Sequence, residues 1–378
     1  MKKTLFSVLL LVSTLIASAQ WSNSSFTHGS LTRSYRIHVP ALYNSANPVP
    51  LVIALHGLGD DMTNFSGIGL SDVADTANFI SVYPQAIADP NFGTAWNSGA
   101  GAFGFYPNNT VNDVDFIKCL IDTISAHYNI NSRKVFATGF SMGAFMTNRL
   151  ACTLSNKIAS FASVSGTIGS GITCVPSRAI SICHFHGTAD ATISYTNNTY
   201  GMNAQPLINF WVNNNSCNTT PVHTNLPDAA PADGYTIEHD MYSGGTNGTV
   251  VEHFKVNNGP HTWLFTPTND IDYSTEIWKF FMDKSLPVSA VGISEYELRN
   301  SVNVFPNPAT ESFKVLQNEE HTVEKIALFD LTGKQITEQA MRGESSVIKV
   351  SDYSKGIYIL KCFSKEGLTI GCTKLIIE

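Results

Sequence analysis

The sequence predicts an α/β protein: a mostly parallel sheet covered by helices, followed by a small all-β sandwich. Three observations carry this. Continuous apolar runs alternate with helix-spaced segments over residues 20–284, as strands buried on both faces of a parallel sheet require. One such run enters Gly139-Phe140-Ser141-Met142-Gly143, and a helix-compatible run from Ala144 to Leu154 leaves it. Beyond residue 301 the chain becomes short strand-like runs separated by turn signals.

The chain has 378 residues, 43% of them hydrophobic and 14% charged, with a net charge of −7. Low charge and ample apolar content support large cores over two or more domains. No block of Lys or Arg is present, which argues against nucleic acid or an anionic membrane surface as partner. Lys2 and Lys3 precede an apolar run from Leu5 to Ile16 and then Ala17-Ser18-Ala19. This order predicts a signal peptide over residues 1–19, too short in its apolar part to span a bilayer. The expected organisation continues with an α/β domain at 20–284, a linker at 285–301 and a β-sandwich at 302–378.

Within the α/β domain, Ser34 to Val39 alternates polar and apolar residues, as a half-buried strand does. Leu51 to Leu55 and Phe79 to Tyr83 are unbroken apolar runs, read as buried strands ending at His56-Gly57 and Pro84. Asp113 to Tyr128 has Val114, Ile117, Leu120, Ile121 and Ile124 at helical spacing, with Asn112 or Asp113 able to cap it. Val135 to Thr138, Phe161 to Val164 and Ile180 to His184 continue the sheet. A helix around Ile208 to Val212, strands at Tyr235 to Tyr242 and Val250 to Val256, and a helix at Ile271 to Met282 close the domain.

Gly-x-Ser-x-Gly between a strand and a helix is the pattern of a nucleophile elbow, a sharp turn that lifts one hydroxyl above the sheet. Ser141 is thus the candidate nucleophile. A serine hydroxyl needs a base, and the base needs a group to orient it. Downstream, an apolar strand runs into His186-Gly187-Thr188-Ala189-Asp190, which offers Asp190 as the acid. The plain alternative for Asp190 is an Asx-turn; Asp113 and Asp115 open a helix and suit capping better. The turn-rich loop Asn257-Asn258-Gly259-Pro260-His261 offers His261 as the base, whereas His253 alternates within a strand as a surface or packing residue. The N–H of Met142 and that of Leu58, in the loop His56-Gly57-Leu58-Gly59, are the expected oxyanion donors. His184 and His186 share a strand face, but no third ligand is signalled nearby, so no metal is expected there.

The chain contains 7 cysteines, an odd number. Cys152 and Cys174 flank one strand-loop unit and can be bridged; Cys362 and Cys372 can form a cross-strand pair. Cys119 reads as a helix core-face residue and Cys183 as a buried strand residue.

These residues resemble the secreted polyhydroxybutyrate-depolymerase/feruloyl-esterase family of α/β-hydrolases. The matching segments are Pro50-Leu-Val-Ile-Ala-Leu-His-Gly57, Asn112-Asp-Val-Asp-Phe-Ile117, Ala137-Thr-Gly-Phe-Ser-Met-Gly143, His186-Gly-Thr-Ala-Asp190 and Gly259-Pro-His-Thr-Trp263, in that order. The resemblance implies an α/β-hydrolase fold and a serine ester hydrolase with Ser141, Asp190 and His261 as triad, needing no cofactor. It also implies that Trp263 walls a substrate cleft. Trp96, in the Gly-rich loop from Gly93 to Gly104, is placed to assist, with simple packing the alternative for either Trp; His56 joins them or, the preferred reading, shapes its loop from the core. Ala144 and Phe145 depart from the smaller or polar residues of the family at these positions. The tail resembles the C-terminal sorting domain of the type 9 secretion system, through Val304-Phe-Pro-Asn-Pro-Ala-Thr310, Leu328-Phe-Asp-Leu-Thr-Gly-Lys334, Gly356-Ile-Tyr358 and the closing Thr373-Lys-Leu-Ile-Ile377. A polymer-binding module of similar β-sandwich kind is the alternative.

The expected function is hydrolysis of feruloyl or acetyl esters of polysaccharide, outside the cell or on its outer surface. A polyester such as polyhydroxybutyrate is the runner-up, and a non-catalytic polymer-binding surface protein is the remote alternative. The expected partners are a polymeric ester substrate and the secretion machinery, with no nucleic acid, and the chain is expected to be a monomer.

Overall fold

A computed structural model describes residues 19–287, 302–317, 323–330, 334–341, 343–363 and 369–378. The expected signal peptide up to residue 18, most of the expected linker, and Thr332-Gly333 of the tail lie outside the described residues. The chain divides into two compact units, 1–291 and 292–378.

The first unit contains strands β1 (Gln20–His28), β2 (Leu31–Val39), β3 (Val49–Leu55), β4 (Ile80–Pro84), β5 (Ile87–Asp89), β6 (Gly93–Ala95), β7 (Ile130–Phe140), β8 (Ser160–Val164), β9 (Ser181–Gly187), β10 (Val222–Asn225), β11 (Thr236–Tyr242) and β12 (Val251–Asn257). Its helices are α1 (Met62–Phe65), α2 (Leu70–Ala77), α3 (Asp113–His127), α4 (Met142–Thr153), α5 (Ala204–Asn215) and α6 (Tyr273–Phe281). Ten strands form one sheet in the order β1-β2-β4-β3-β7-β8-β9-β12-β11-β10. The central β4-β3-β7-β8-β9-β12 are parallel. Antiparallel strands flank them on both sides.

The unbroken apolar runs face two cores in alternation, as the two-residue period of a strand requires. On β3, Leu51, Ile53 and Leu55 face one core and Val52 and Ala54 the other. The first core takes α3 through Phe116, Leu120 and Ile124, α4 through Met146 and Leu150, and α5 through Ile208 and Trp211. The second takes α2 through Leu70 and Ala74 and α6 through Ile277, Phe280 and Phe281. Each fully buried side chain of this size stabilises by about 2 kcal/mol, so neither face could be left bare.

Two local readings are refined. Asn112 caps α3, accepting from Asp115 N at 3.2 Å. Asp113 is instead the buried partner of Arg33, with Nη2–Oδ1 2.6 Å. Cys119 is only half-buried and lies beside, not on, the core face of α3, because the inward positions are taken by Phe116, Ile117, Leu120 and Ile121. Cys183 is buried in β9 as expected, and Cys152 is bridged to Cys174.

The second unit contains β13 (Val302–Phe305), β14 (Ser312–Gln317), β15 (Lys325–Phe329), β16 (Gln335–Ala340), β17 (Ser345–Lys349), β18 (Gly356–Phe363) and β19 (Thr369–Ile377). They form antiparallel sheets β13-β14-β17 and β16-β15-β18-β19. Phe313 and Val315 of one sheet share a core with Ile326, Leu328, Leu360 and Leu375 of the other. The register sets Cys362 opposite Gly371; the side chain of Cys372 lies outside the described residues. Among the described residues no helix is long and apolar enough to cross a membrane.

Candidate active site

The four candidate segments all leave the carboxyl ends of parallel strands: His56–Leu58 after β3, Ser141 after β7, Asp190 after β9 and His261 after β12. This is where an open α/β sheet gathers its functional groups.

Ser141 has φ 56° and ψ −122°, a strained conformation for a residue with a side chain. The strain is held by its N–H on Val164 O at 2.9 Å and by its carbonyl, which accepts from Ala144 and Phe145 N–H as α4 begins. Both glycines of the motif are required by close approach. A Cβ on Gly143 would collide with the Leu55 carbonyl, and one on Gly139 with the Gly143 carbonyl. A Cβ added at Gly57 would lie 3.4 Å from Ser141 Cβ, so the loop after β3 lies directly against the elbow.

Asp190 and His261 meet because their loops are joined. Ala189 N–H donates to Gly259 O at 3.0 Å, and Asn258 N–H to Thr188 Oγ1 at 2.9 Å. His261 Nδ1 then lies 2.7 Å from Asp190 Oδ2. The other oxygen, Oδ1, accepts from Thr192 N–H at 2.9 Å and Ile193 N–H at 2.7 Å. Asp190 therefore makes the Asx-turn and holds the histidine at once: one oxygen serves each purpose. Burial opposes its charge, but the bonds from His261 and Ile193 outweigh burial and hold the carboxyl below its usual range.

Ser141, Met142, Gly57, Leu58 and His261 line one cleft of about 520 Å³. Its remaining walls are largely apolar: Phe92, Ala100, Phe105, Phe140, Phe145, Ile193 and Tyr200. Phe140, beside the nucleophile in sequence, has its ring centroid 4.7 Å from that of His261. Met142 is the first residue of α4, where a helix leaves its N–H groups without intrahelical partners. A hydroxyl on a strained turn, an imidazole anchored through Nδ1 and helix-end N–H groups at one cleft are suited to acyl transfer.

Three of the expected substrate-binding residues are corrected. Trp263 is buried at 7% exposure and packs edge-on against Phe65 and Tyr273 behind Phe140, so it supports the cleft wall and does not form it. Trp96 is fully buried, and its Nε1–H donates to His56 O at 2.9 Å. His56 is also fully buried. Its Nε2 accepts from Ala86 N–H at 3.0 Å and Gln85 Nε2 at 3.2 Å, which leaves Nδ1–H to donate to Gly57 O at 2.7 Å. Burial pushes its pKa down despite that last bond. His56 thus shapes the loop from below, the alternative held open for it. The aromatic wall comes instead from Phe92, Phe105, Phe140, Phe145 and Tyr200. None of these was assigned to the wall from sequence; the signal that could have found Phe140 and Phe145 is their position in and beside the motif.

His184 and His186 face each other at Nε2–Nδ1 3.1 Å, joined by a hydrogen bond. His253 is 1% exposed, a packing residue of β12. Away from the cleft lining, His28, Asp115 and Cys119 have ligand-type atoms within 4.8 Å of one another. The His28 Nε2–Asp115 Oδ2 pair at 2.8 Å accounts for two of them.

Two protein families match parts of the chain. Residues 42–228 match the phospholipase/carboxylesterase family, and residues 303–378 match the secretion system C-terminal sorting domain. A bifunctional acetylxylan esterase/xylanase of Neocallimastix patriciarum is 32% identical over 161 residues, covering 42% of this chain and 22% of that protein. Feruloyl esterase D of Neurospora crassa is 28% identical over 265 residues, covering 66% of this chain and 81% of that protein. Poly(3-hydroxyalkanoate) depolymerase C of Paucimonas lemoignei is 31% identical over 157 residues, covering 41% of this chain and 36% of that protein. The chain thus spans 22% and 36% of the first and third of these relatives. On fold the first unit is an α/β-hydrolase, and in sequence the chain is similar to the phospholipase/carboxylesterase family over residues 42–228 and to the secretion system C-terminal sorting domain over residues 303–378.

Proposed function

We propose that the chain is an exported carboxylic ester hydrolase with a Ser141–His261–Asp190 triad. Ser141 Oγ attacks the ester carbonyl as His261 Nε2 takes its proton. The carbonyl π pair moves onto oxygen, where the N–H groups of Met142 and Leu58 stabilise it. Collapse expels the alcohol, which takes the proton back from His261. Water, deprotonated by the same imidazole, then frees the acid. Asp190 keeps Nδ1–H of His261 directed at itself, so that Nε2 is the basic nitrogen. The single observation that carries this reading is the 2.7 Å contact of His261 Nδ1 with Asp190 Oδ2 at a cleft that Ser141 and His261 both line.

An apolar cleft of about 520 Å³ suits an aromatic acyl group better than acetyl, which would leave most of it unfilled. We therefore favour feruloyl esters on polysaccharide, with acetyl esters second. Phe103 and Phe105, 94% and 71% exposed in the loop above the cleft, favour a polyester surface as the next reading. The sorting domain at 303–378 is the proposed address for the secretion machinery.

The test is a panel of methyl ferulate, acetylated xylan and a polyhydroxybutyrate suspension, with Ser141→Ala as control. Methyl ferulate should give the highest kcat/KM. Ser141→Ala should lower turnover of every ester by about 10⁴-fold or more. Near-normal turnover in that variant would remove the assignment.

A further inference from the structure

The triad leaves a row of buried imidazoles unused. His184 and His186 follow each other on one side of β9, and His253 stands opposite His184 on β12. All three are buried. His186 Nε2 lies 2.8 Å from Ile193 O and 3.5 Å from Asp190 Oδ2. A carbonyl oxygen only accepts, so Nε2 carries the hydrogen. In a neutral ring Nδ1 is then a bare acceptor. It faces His184 Nε2 at 3.1 Å, which must therefore donate. His184 Nδ1 is left to accept the hydroxyl hydrogen of Ser163, at 2.8 Å. The Ile193 carbonyl thus sets the direction of the whole series.

Neutrality of both rings follows from where they lie. Burial, then repulsion from His186 and His253, holds His184 well below its ordinary pKa. Burial also lowers His186, although Ile193 O and Asp190 act against it. The titratable groups around His186 are His184 on its own strand, His253 on β12, Lys255 opposite it on β12 and paired with Glu238, Asp190 and His261 on the loops, and Tyr195, whose ring centroid is 5.4 Å away.

The partner of this series is the residue that matters to the site. Ile193 N–H holds Asp190 Oδ1, while Ile193 O holds His186 Nε2–H. His186 therefore grips the 190–193 turn through the Ile193 carbonyl. Its same N–H also lies 3.5 Å from Oδ2, the oxygen that His261 uses. We infer that His186 is a positioning residue: its Nε2–H, with Nδ1 held by the hydrogen bond from His184, clamps the 190–193 turn and fixes the Asp190 carboxylate that orients His261. This rests on the triad reading of Ser141, His261 and Asp190.

Two measurements test it on the full chain. Long-range ¹⁵N–¹H spectra of the imidazoles should show His184 and His186 as neutral Nε2–H tautomers. An Nδ1–H form or a charged ring at either one, at neutral pH, would overturn the inference, whether or not any variant folds. The second measurement compares His186→Gln, whose amide N–H can reach the Nε2 position, with His186→Asn, whose amide is too short. His186→Asn should lose about 10- to 100-fold in kcat/KM, the range expected when a supporting partner of a reacting group is withdrawn. Without the positive end of that N–H 3.5 Å from Oδ2, Asp190 becomes more basic, so the acid limb of the pH–rate profile should move upward. The low-field Nδ1 proton of His261 should move with it. His186→Gln should recover both. Equal losses in the two variants, with limb and proton signal unmoved, would reduce His186 to packing. Ser141→Ala in the same assay separates the two ideas: activity surviving there would defeat the triad, whereas the tautomers would still report on His186.

Discussion

Replacing Asp190 by Asn is the sharpest perturbation of the proposed chemistry, because the structure dictates how the amide must sit. Oδ1 receives two backbone donors, Thr192 N–H at 2.9 Å and Ile193 N–H at 2.7 Å. Only the carbonyl oxygen of an Asn can occupy that position. Its NH₂ then takes the place of Oδ2, 2.7 Å from His261 Nδ1. A donor facing Nδ1–H is repulsive, and the ring responds by moving its hydrogen to Nε2. An imidazole protonated on Nε2 cannot take a proton from Ser141. The side chain keeps its shape and its turn, so the fold should survive. The expected loss is about 10⁴-fold in kcat. At 1.36 kcal/mol per decade this is roughly 5 kcal/mol of transition-state stabilisation. The assay is p-nitrophenyl acetate hydrolysis near neutral pH, with circular dichroism and melting temperature checking the fold and ¹⁵N–¹H spectra reading the His261 tautomer. A loss under about tenfold in a folded variant with the tautomer switched would refute the reasoning, since the base would then lie elsewhere.

Other expectations use the same contrasts. His253→Ala should cost about 2–4 kcal/mol in a urea melt, because the ring is buried, yet leave the activity of the folded fraction within a few-fold; His261→Ala should do the reverse, and the opposite ranking would move the base to His253. Acid should unfold the protein through its buried neutral histidines, since His56, His184 and His253 all have lowered pKa values, by burial first, His253 to about 3. The unfolded chain takes up protons below its ordinary pKa of about 6.5 and the folded chain does not, so stability is full above that pH and falls as pH drops toward 3, by up to about 1.4 kcal/mol per unit per group; a flat stability from pH 7 to 4 in a urea series would contradict this. Replacing Cys152 and Cys174 by Ser opens a loop of sequence separation 22 and should cost about 3 kcal/mol, read as a lowered melting temperature that reducing agent reproduces in the parent.

The parallel core of the fold was legible because buried strands leave an unambiguous trace. Val52 to Leu55 and Val135 to Ala137 are apolar at every position, and each position faces one of two cores. Edge elements left no such trace. β1 reads Gln-Trp-Ser-Asn-Ser-Ser-Phe-Thr-His, largely exposed, and it exists because it pairs with β2 along its whole length. α1 has four residues and is fixed by the Asp61 side chain accepting from Thr63 and Asn64 N–H, a contact that periodicity cannot register. The segments carrying Ser141, Asp190 and His261 were legible for a different reason: each is a turn motif at the end of a strand, and turns are local. The cleft walls were not. Phe92, Phe105 and Tyr200 come from loops whose course is decided by long-range contacts, while Trp96 and Trp263, large aromatics beside motif residues, were drawn inward because their area is worth more buried.

What holds those loops in place is a polar framework beneath the cleft. Arg33 of β2 and Asp113 of α3 form an ion pair with both side chains fully buried. Burying two charges costs several kcal/mol that their attraction scarcely recovers, so stability alone is a poor reason for the pair. The second carboxylate oxygen shows another use. Asp113 Oδ2 accepts Asn97 N–H at 2.7 Å, Asn97 Nδ2 donates to Val111 O at 2.7 Å, and Arg149 of α4 donates to both the carbonyl and the side-chain oxygen of Asn97. Trp96, next in the chain, reaches the other way to His56 O. One buried carboxylate is thereby linked to both ends of the loop that carries Ala100, Phe105 and Pro107 of the cleft, to the helix that begins at the elbow, and through Trp96 to the loop bearing Leu58. Apolar contacts could bury these segments but would allow them to slide by a fraction of an ångström; directional bonds to one fixed charge do not. A reaction that depends on donors placed within a few tenths of an ångström of a developing oxyanion needs that restriction. The charge pair is therefore better understood as setting the geometry of the wall and of the proposed oxyanion loop than as adding to the stability of the sheet.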